Sequence, residues 1–144
     1  MTFIDLPRDW PSRSLTDLRL AADVVDLVVR EGDRWTGSVS LLLCSDDGRM
    51  IQPVTVSDVP QSSTEEDRRA FFDAFLDHLG RALGSVVLAL GRPGEQPCAE
   101  DLAWHGSALT ACRAAGVELI ATFAAAPEEV RLVGTGQVPL DLAG

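Results

Sequence analysis

The chain has 144 residues, the length of one ordinary domain. Apolar residues make up 46% and charged residues 24% of the composition, which is typical of a folded globular protein. The formal net charge is −10. Because nucleic acids and anionic membranes bind clustered lysines and arginines, this charge predicts neither as a partner.

The lack of a recognisable targeting signal and the wide spacing of the cysteines predict a cytoplasmic protein without a membrane anchor. The first residues, MTFIDLPRDWP, contain no basic leader followed by an apolar run. No stretch reaches the roughly 18 consecutive apolar residues of a spanning helix. The three cysteines, Cys44, Cys98 and Cys112, lie far apart and form no CxxC pair. We therefore expect reduced thiols, with neither a disulfide framework nor a zinc knuckle.

The N-terminal part of the chain predicts an arm followed by a helix. Residues 1–13 contain two prolines, which oppose regular structure, and four large apolar side chains, which favour packing on the domain. Ser14 is the predicted N-cap of a helix over residues 15–30, where apolar residues recur at helical spacing. Gly32 and the charged residues around it are expected to end that helix.

A hairpin and a second helix follow. The β-rich run at 38–44 and a second run at about 49–56 are joined by an Asp-Gly turn, a strong hairpin signal. Ser63 and Glu66 have the spacing of a capping box, and a broad apolar stripe then predicts helix two. Gly84 is its expected end.

The C-terminal part predicts a central strand, a third helix and two more strands. Residues 85–90 are almost wholly apolar, as in a strand covered on both faces. A helix over 101–115 is closed by Gly116, and strands follow at 117–124 and 130–133. Residues 134–144 are expected to form a loosely ordered tail. The order α-β-β-α-β-α-β-β predicts an α/β protein with a mixed sheet and helices packed on it.

Three segments in this order carry a family resemblance. They are LLLCSDDGR at 41–49, SVVLAL at 85–90 and LGRPGEQPCAED at 90–101. Across residues 15–133 the chain resembles the JAB/MPN fold, and within it the bacterial RadC-like branch. The resemblance implies a single JAB/MPN-like domain over 14–133, with a layout similar to that of cytidine deaminases.

The resemblance also implies that most of the metal ligands are missing. Leu90 and Arg92 stand where the active family has two zinc-binding histidines, and Cys98 stands at its serine position. Asp101 alone remains of the loop ligands, and the upstream catalytic glutamate would fall near Thr36. A hydrolytic zinc site needs three protein ligands and an open position for water. We therefore expect no catalytic residues, no bound metal and no cofactor.

A replacement site could exist between Leu90 and His105. Asp101 and His105 are four residues apart and share a helical face, with Cys98 one turn earlier. Together they could offer oxygen, nitrogen and sulfur ligands to a metal. The favoured alternative is structural: Asp101 in the first turn complements the helix dipole, and Cys98 and His105 are packed or solvated.

Arg92 is the remaining candidate for ligand binding. An arginine beside Pro93 and Gly94 at a strand end could hold a carboxylate or phosphate through its fork of donors. The favoured alternative is an ion pair with Glu95 or Asp101.

Two functions of different classes follow from these observations. The first is a non-catalytic JAB/MPN-like domain that acts in protein–protein interaction, with a protein partner or as a homodimer. The candidate contacts are exposed parts of the N-terminal arm, or Trp35 and Trp104, because tryptophan is enriched in interface hot spots. Trp104 is the better candidate for the core. The alternative is a re-purposed metal-dependent hydrolase or small-ligand site that uses Arg92, Cys98, Asp101 and His105.

Overall fold

A computed structural model describes residues 6–60, 62–79, 83–94 and 98–136. Its helices are α1 (Leu18–Val28), α2 (Glu31–Thr36), α3 (Glu65–Leu79) and α4 (Ala99–Ala115), and its strands are β1 (Ser38–Cys44), β2 (Met50–Ser57), β3 (Ser85–Gly91), β4 (Glu118–Ala125) and β5 (Val130–Thr135). The predicted order of elements is confirmed, and the short helix α2 is added to it. No helix among the described residues is both long and apolar enough to span a bilayer.

The five strands form one mixed sheet in the order β2-β1-β3-β4-β5. β1 is antiparallel to β2 and β3, β3 and β4 are parallel, and β4 and β5 are antiparallel. Ser38 pairs with Gly91, and Gly91 pairs with Ala125. The start of β1 and the ends of β3 and β4 therefore lie along one edge, here called the carboxyl edge.

Helices cover both faces of this sheet, because β1, β3 and β4 are apolar on both sides. On one face α1 packs on alternate strand residues such as Leu42, Val87 and Phe123. On the other, α3 and α4 pack on the residues between them, such as Leu41 and Leu88. The result is a three-layer mixed α/β architecture with two apolar clusters separated by the sheet.

The tryptophans divide between the core and the surface. Trp104 is 4% exposed and makes edge-to-face contacts with Phe71 and Phe72, at centroid distances of 5.5 and 5.7 Å. The prediction of a core residue is confirmed, and Trp104 is excluded as an interface contact. Trp35 on α2 is 58% exposed. Trp10 is partly buried against the α1 face of the sheet, as the predicted N-terminal arm requires.

Two helices begin at residues other than the predicted caps. Asp17, not Ser14, caps α1: its Oδ1 accepts hydrogen bonds from the backbone N–H groups of Arg19 and Leu20 at 3.1 and 3.3 Å. Ser14 instead forms an isolated β-bridge with Arg49. The arm is therefore fastened to the hairpin before α1 begins.

The cap of α3 is shifted by one residue from the prediction. Thr64 Oγ1 accepts from the Asp67 N–H at 3.1 Å, and Asp67 Oδ2 accepts from the Thr64 N–H at 3.4 Å. Ser63 is taken by tertiary partners, since its hydroxyl donates to Glu100 Oε2 at 2.7 Å and accepts from Arg68 Nη1 at 3.0 Å. These bonds tie the starts of α3 and α4 together.

Helix one is shorter than predicted, and a buried arginine explains where it ends. Arg34 on α2 donates to the carbonyl oxygens of Val29 and Asp26 at 2.9 Å and to that of Ala126 at 3.2 Å. It also forms an ion pair of 3.0 Å with Asp26 Oδ1. The guanidinium thus satisfies carbonyls that the last turn of α1 leaves free and attaches them to the end of β4.

Other element ends differ by small amounts. Gly116 is left-handed and closes α4 as predicted. Gly84, the predicted end of helix two, lies at the start of β3, where a Cβ would approach Asp46 to 2.2 Å. β5 continues to Thr135, past the predicted end of that strand. The expected tail from 137 onward, and residues 1–5 of the arm, lie outside the described residues.

The substitution Arg34→Met tests the role of this arginine in the fold. It should lower the free energy of unfolding by about 3 kcal/mol, because Asp26 is left without its cation and buried carbonyls lose their donors. Denaturant unfolding measures the change. Arg30→Met, at an exposed position of the same segment, should change stability by no more than about 0.5 kcal/mol. Equal losses in the two variants would contradict the assignment.

Candidate functional site

The predicted site lies at the carboxyl edge, between the end of β3 and the start of α4. β3 ends at Gly91, and the backbone N–H of Arg92 donates to the carbonyl of Ala125 at 3.1 Å. Cys98 is the N-cap of α4, which places Asp101 in the first turn of that helix. The backbone therefore brings Arg92, Cys98 and Asp101 to one place.

Arg92 and Asp101 form a buried ion pair. Nε of Arg92 lies 3.0 Å from Oδ1 of Asp101, whose side chain is fully buried, while that of Arg92 is 16% exposed. Oδ2 of Asp101 accepts a hydrogen bond of 2.9 Å from the Cys98 N–H. Oδ1 accepts no hydrogen bond from the described residues, so its contact with Nε is ionic. The ion pair expected for Arg92 is present with Asp101, and Glu95 lies outside the described residues.

Cys98 completes this cluster through its sulfur. Arg92 Nη1 donates to Cys98 Sγ at 2.8 Å, and Cys98 and Asp101 form a reciprocal capping box at the start of α4. One guanidinium therefore contacts both the capping residue and the buried acid. This arrangement anchors the start of α4 to the end of β3.

The other two cysteines are buried in the core. Burial raises the pKa of the Cys44 thiol to about 12 and that of Cys112 to about 11. Both therefore remain neutral thiols near pH 7, and neither is a nucleophile.

His105 is on α4 but belongs to a different contact. Its Nδ1 lies 2.7 Å from Thr122 Oγ1 on β4, and its ring also bonds the backbone of Thr135 on β5. A Cβ at Gly134 would lie 2.6 Å from Nε2, so the ring packs directly on this glycine. Burial lowers the pKa of His105, while the bond to Thr135 opposes that shift.

Cys98, Asp101 and His105, the three candidate metal ligands, therefore do not converge on one point. Asp101 is engaged by Arg92, and His105 points to Thr122 and β5. Across the described ranges, no group of three His, Cys, Asp or Glu residues is placed to hold a metal ion. The shared helical face was a correct inference from the spacing, but each side chain has another partner.

The resemblance expects a zinc-binding histidine at position 90 and a catalytic glutamate near position 36. The side chains present there pack or form hydrogen bonds within the domain. Leu90 is 2% exposed and packs in the α3/α4 cluster. Thr36 donates from Oγ1 to the Gly32 carbonyl at 3.0 Å, inside α2. Thr122 was not predicted as a partner of His105, and its only sequence signal is a single hydroxyl within the apolar run of β4.

One small cavity among the described residues includes Arg92 in its lining. A cavity of about 20 Å³ is lined in part by Gly37, Leu90, Arg92 and Trp104. That volume holds one water molecule rather than a substrate. Larger depressions of about 450 Å³ lie between α3 and α4, and between the end of α1 and β2. Neither depression includes the predicted site residues.

Comparisons with models of protein families, with curated proteins and with solved structures found no match.

Substitutions at Arg92 and Asp101 should have unequal effects. Arg92→Met leaves a fully buried carboxylate without a cation and should cost about 3 kcal/mol. Asp101→Asn keeps an acceptor for the Cys98 N–H, and the guanidinium retains some solvent contact, so it should cost about 1 kcal/mol. In a double-mutant cycle measured by urea unfolding, the double variant should lose less than the sum. Additive losses would show that the pair is not energetically coupled.

Stability should fall as pH decreases through the range in which free histidine titrates. The pKa of His105 is below its ordinary 6.5 in the folded protein, so the unfolded chain binds more protons there. Unfolding free energy should therefore decline between about pH 7.5 and about pH 5.5. His105→Gln should flatten this dependence. Because the chain has two histidines, His78→Gln is the matched control, and an equal effect of both substitutions would contradict the assignment.

Proposed function

We propose that this protein is a non-catalytic JAB/MPN-like domain of the RadC-like type, which acts in protein–protein interaction in the cytoplasm. The observation that carries the proposal is the buried ion pair between Arg92 and Asp101. The mixed sheet, with one helix layer on each face and the order of elements described above, is compatible with it.

The chemical reason is that a guanidinium stands where a metal ion would need to be. Asp101 is the one loop ligand that the resemblance retains, and its charge is already balanced by Arg92. A zinc ion would have to compete with a fixed cation for the same carboxylate. Leu90 offers no donor atom, and its side chain lies in the core. These features support a domain in which an ion pair has replaced the metal centre.

The interaction role is supported by large apolar side chains exposed near the carboxyl edge. Trp35 on α2 is 58% exposed, and Leu102 in the first turn of α4 is 56% exposed. Both elements lead directly into or out of that edge. Exposed tryptophan and leucine are side chains that a partner protein can bury with a gain in free energy.

Zinc analysis with and without chelator tests the non-catalytic assignment. Purified protein should contain no stoichiometric metal, and chelation should leave its melting temperature unchanged. Arg92→His, which restores a metal-binding side chain at this position, is a useful comparison under the same conditions. A metal that chelator removes from the wild-type protein, with a lower melting temperature afterwards, would favour the alternative of a re-purposed metal-dependent hydrolase.

The interaction role requires a separate measurement. The protein should self-associate in sedimentation experiments or retain a partner during affinity purification from its host. A strictly monomeric protein that retains no partner would overturn this part of the proposal.

A further inference from the structure

The backbone around the exposed Trp35 on α2 is held in place by its neighbours. α2 has six residues, and Trp35 is next to Arg34, whose guanidinium bonds three carbonyl oxygens and Asp26. Gly37 follows two residues after Trp35 as the C-cap of α2, and its carbonyl accepts a hydrogen bond from the Val59 N–H at 3.2 Å. The backbone on both sides of Trp35 is thus tied to the body of the domain. A segment whose backbone is already ordered loses little further backbone entropy when a partner covers it.

Two exposed acidic residues lie on α2 and in the loop that is bonded to its C-cap. Glu31 is exposed and precedes Trp35 by four residues, so the two side chains share one face of α2. Asp58 is exposed and lies in the loop that packs on Gly37, immediately before Val59. Neither Glu31 nor Asp58 makes an ion pair within the part of the chain that the structure describes.

The cations near Trp35 are placed differently. Arg34 is buried and bound to Asp26. Arg30 is the N-cap of α2 and lies beside the depression that Asp33 and β2 also line. Asp33 itself is turned toward β2, where it accepts a hydrogen bond of 2.8 Å from Ser57. The face that carries Trp35 is therefore aromatic and acidic.

We propose that Glu31, Trp35 and Asp58, here called the Trp35 surface, bind a basic segment of a partner protein. An arginine or lysine side chain can stack on the indole face while its charge meets the two carboxylates. The formal charge of −10 attracts such a segment at longer range and repels a second copy of this chain. This inference rests on the proposed interaction role and adds the chemistry of the partner.

A peptide titration tests the proposal. The probe is a short peptide that alternates arginine with glycine, and its glutamate counterpart is the negative control. Chemical shifts of the three tryptophan indole N–H groups report binding, after assignment with Trp→Phe variants. The arginine peptide should shift the Trp35 signal in a saturable manner, and added salt should weaken binding. Trp35→Ala should weaken binding by about tenfold or more.

Matched charge variants separate a specific site from general attraction. Glu31→Gln with Asp58→Asn removes two charges at the Trp35 surface and should weaken binding severalfold. Glu66→Gln with Asp77→Asn removes two exposed charges from α3 and should change it little. Equal effects of the two pairs, normal binding by Trp35→Ala, or no binding of the arginine peptide would overturn the inference. Thermal melts confirm that each variant folds.

The outcome is independent of the zinc measurement. A failed peptide titration leaves the non-catalytic assignment standing, since that assignment depends on Arg92 and Asp101. A metal found in the purified protein would overturn that assignment without changing the peptide result. Sedimentation of the protein alone shows whether a second copy is the occupant, which would overturn the basic partner.

Discussion

A carboxylate that is fully removed from water needs a compensating cation, and for Asp101 this requirement organises the carboxyl edge of the sheet. Its charge is met by Arg92 at 3.0 Å, and its second oxygen accepts the N–H of the residue that caps α4. Because Arg92 immediately follows β3, the pair fixes where α4 starts relative to the central strand. Breaking it would leave a buried charge, which costs more than the intact pair contributes.

Arg34 supplies hydrogen-bond donors to buried carbonyl groups at the same edge. It satisfies the carbonyls at the end of α1 and binds the carbonyl that follows β4. Arginine suits both places because its planar fork supplies several donors in fixed directions and is always charged. Two guanidiniums thus attach helices from opposite faces of the sheet to neighbouring strand ends.

The sheet and its helices could be predicted from the sequence because they depend on local patterns. The apolar runs of β1 and β3, the Asp-Gly turn between β1 and β2, and Gly116 each indicate an element without knowledge of the rest. The exact caps depended on tertiary contacts. The spacing of Ser63 and Glu66 predicts Ser63 as the cap of α3. In the structure Ser63 bonds Glu100 and Arg68, and Thr64 is the cap.

In the candidate site, too, local features could be predicted from the sequence and tertiary contacts could not. The first-turn position of Asp101 and its pairing with Arg92 were foreseeable, because a strand end and a helix start meet in such folds. The separation of His105 from Asp101 was not. Positions four apart differ by about 40° around a helix, and that rotation turns one side chain toward the end of β3 and the other toward β4. Sequence spacing gives a shared face, while only the neighbouring strands decide which partner each side chain meets.

The two arginines also connect the proposed non-catalytic role to the proposed binding surface. The Asp101 carboxylate is already paired with Arg92 at the carboxyl edge of the sheet. The same edge holds α2 through Arg34, and α2 presents Trp35 to solvent. Rigidity that would serve catalysis by fixing reacting groups serves recognition equally well, because an ordered surface loses less entropy on binding. The proposed non-catalytic edge and the proposed docking surface can therefore depend on the same buried arginines.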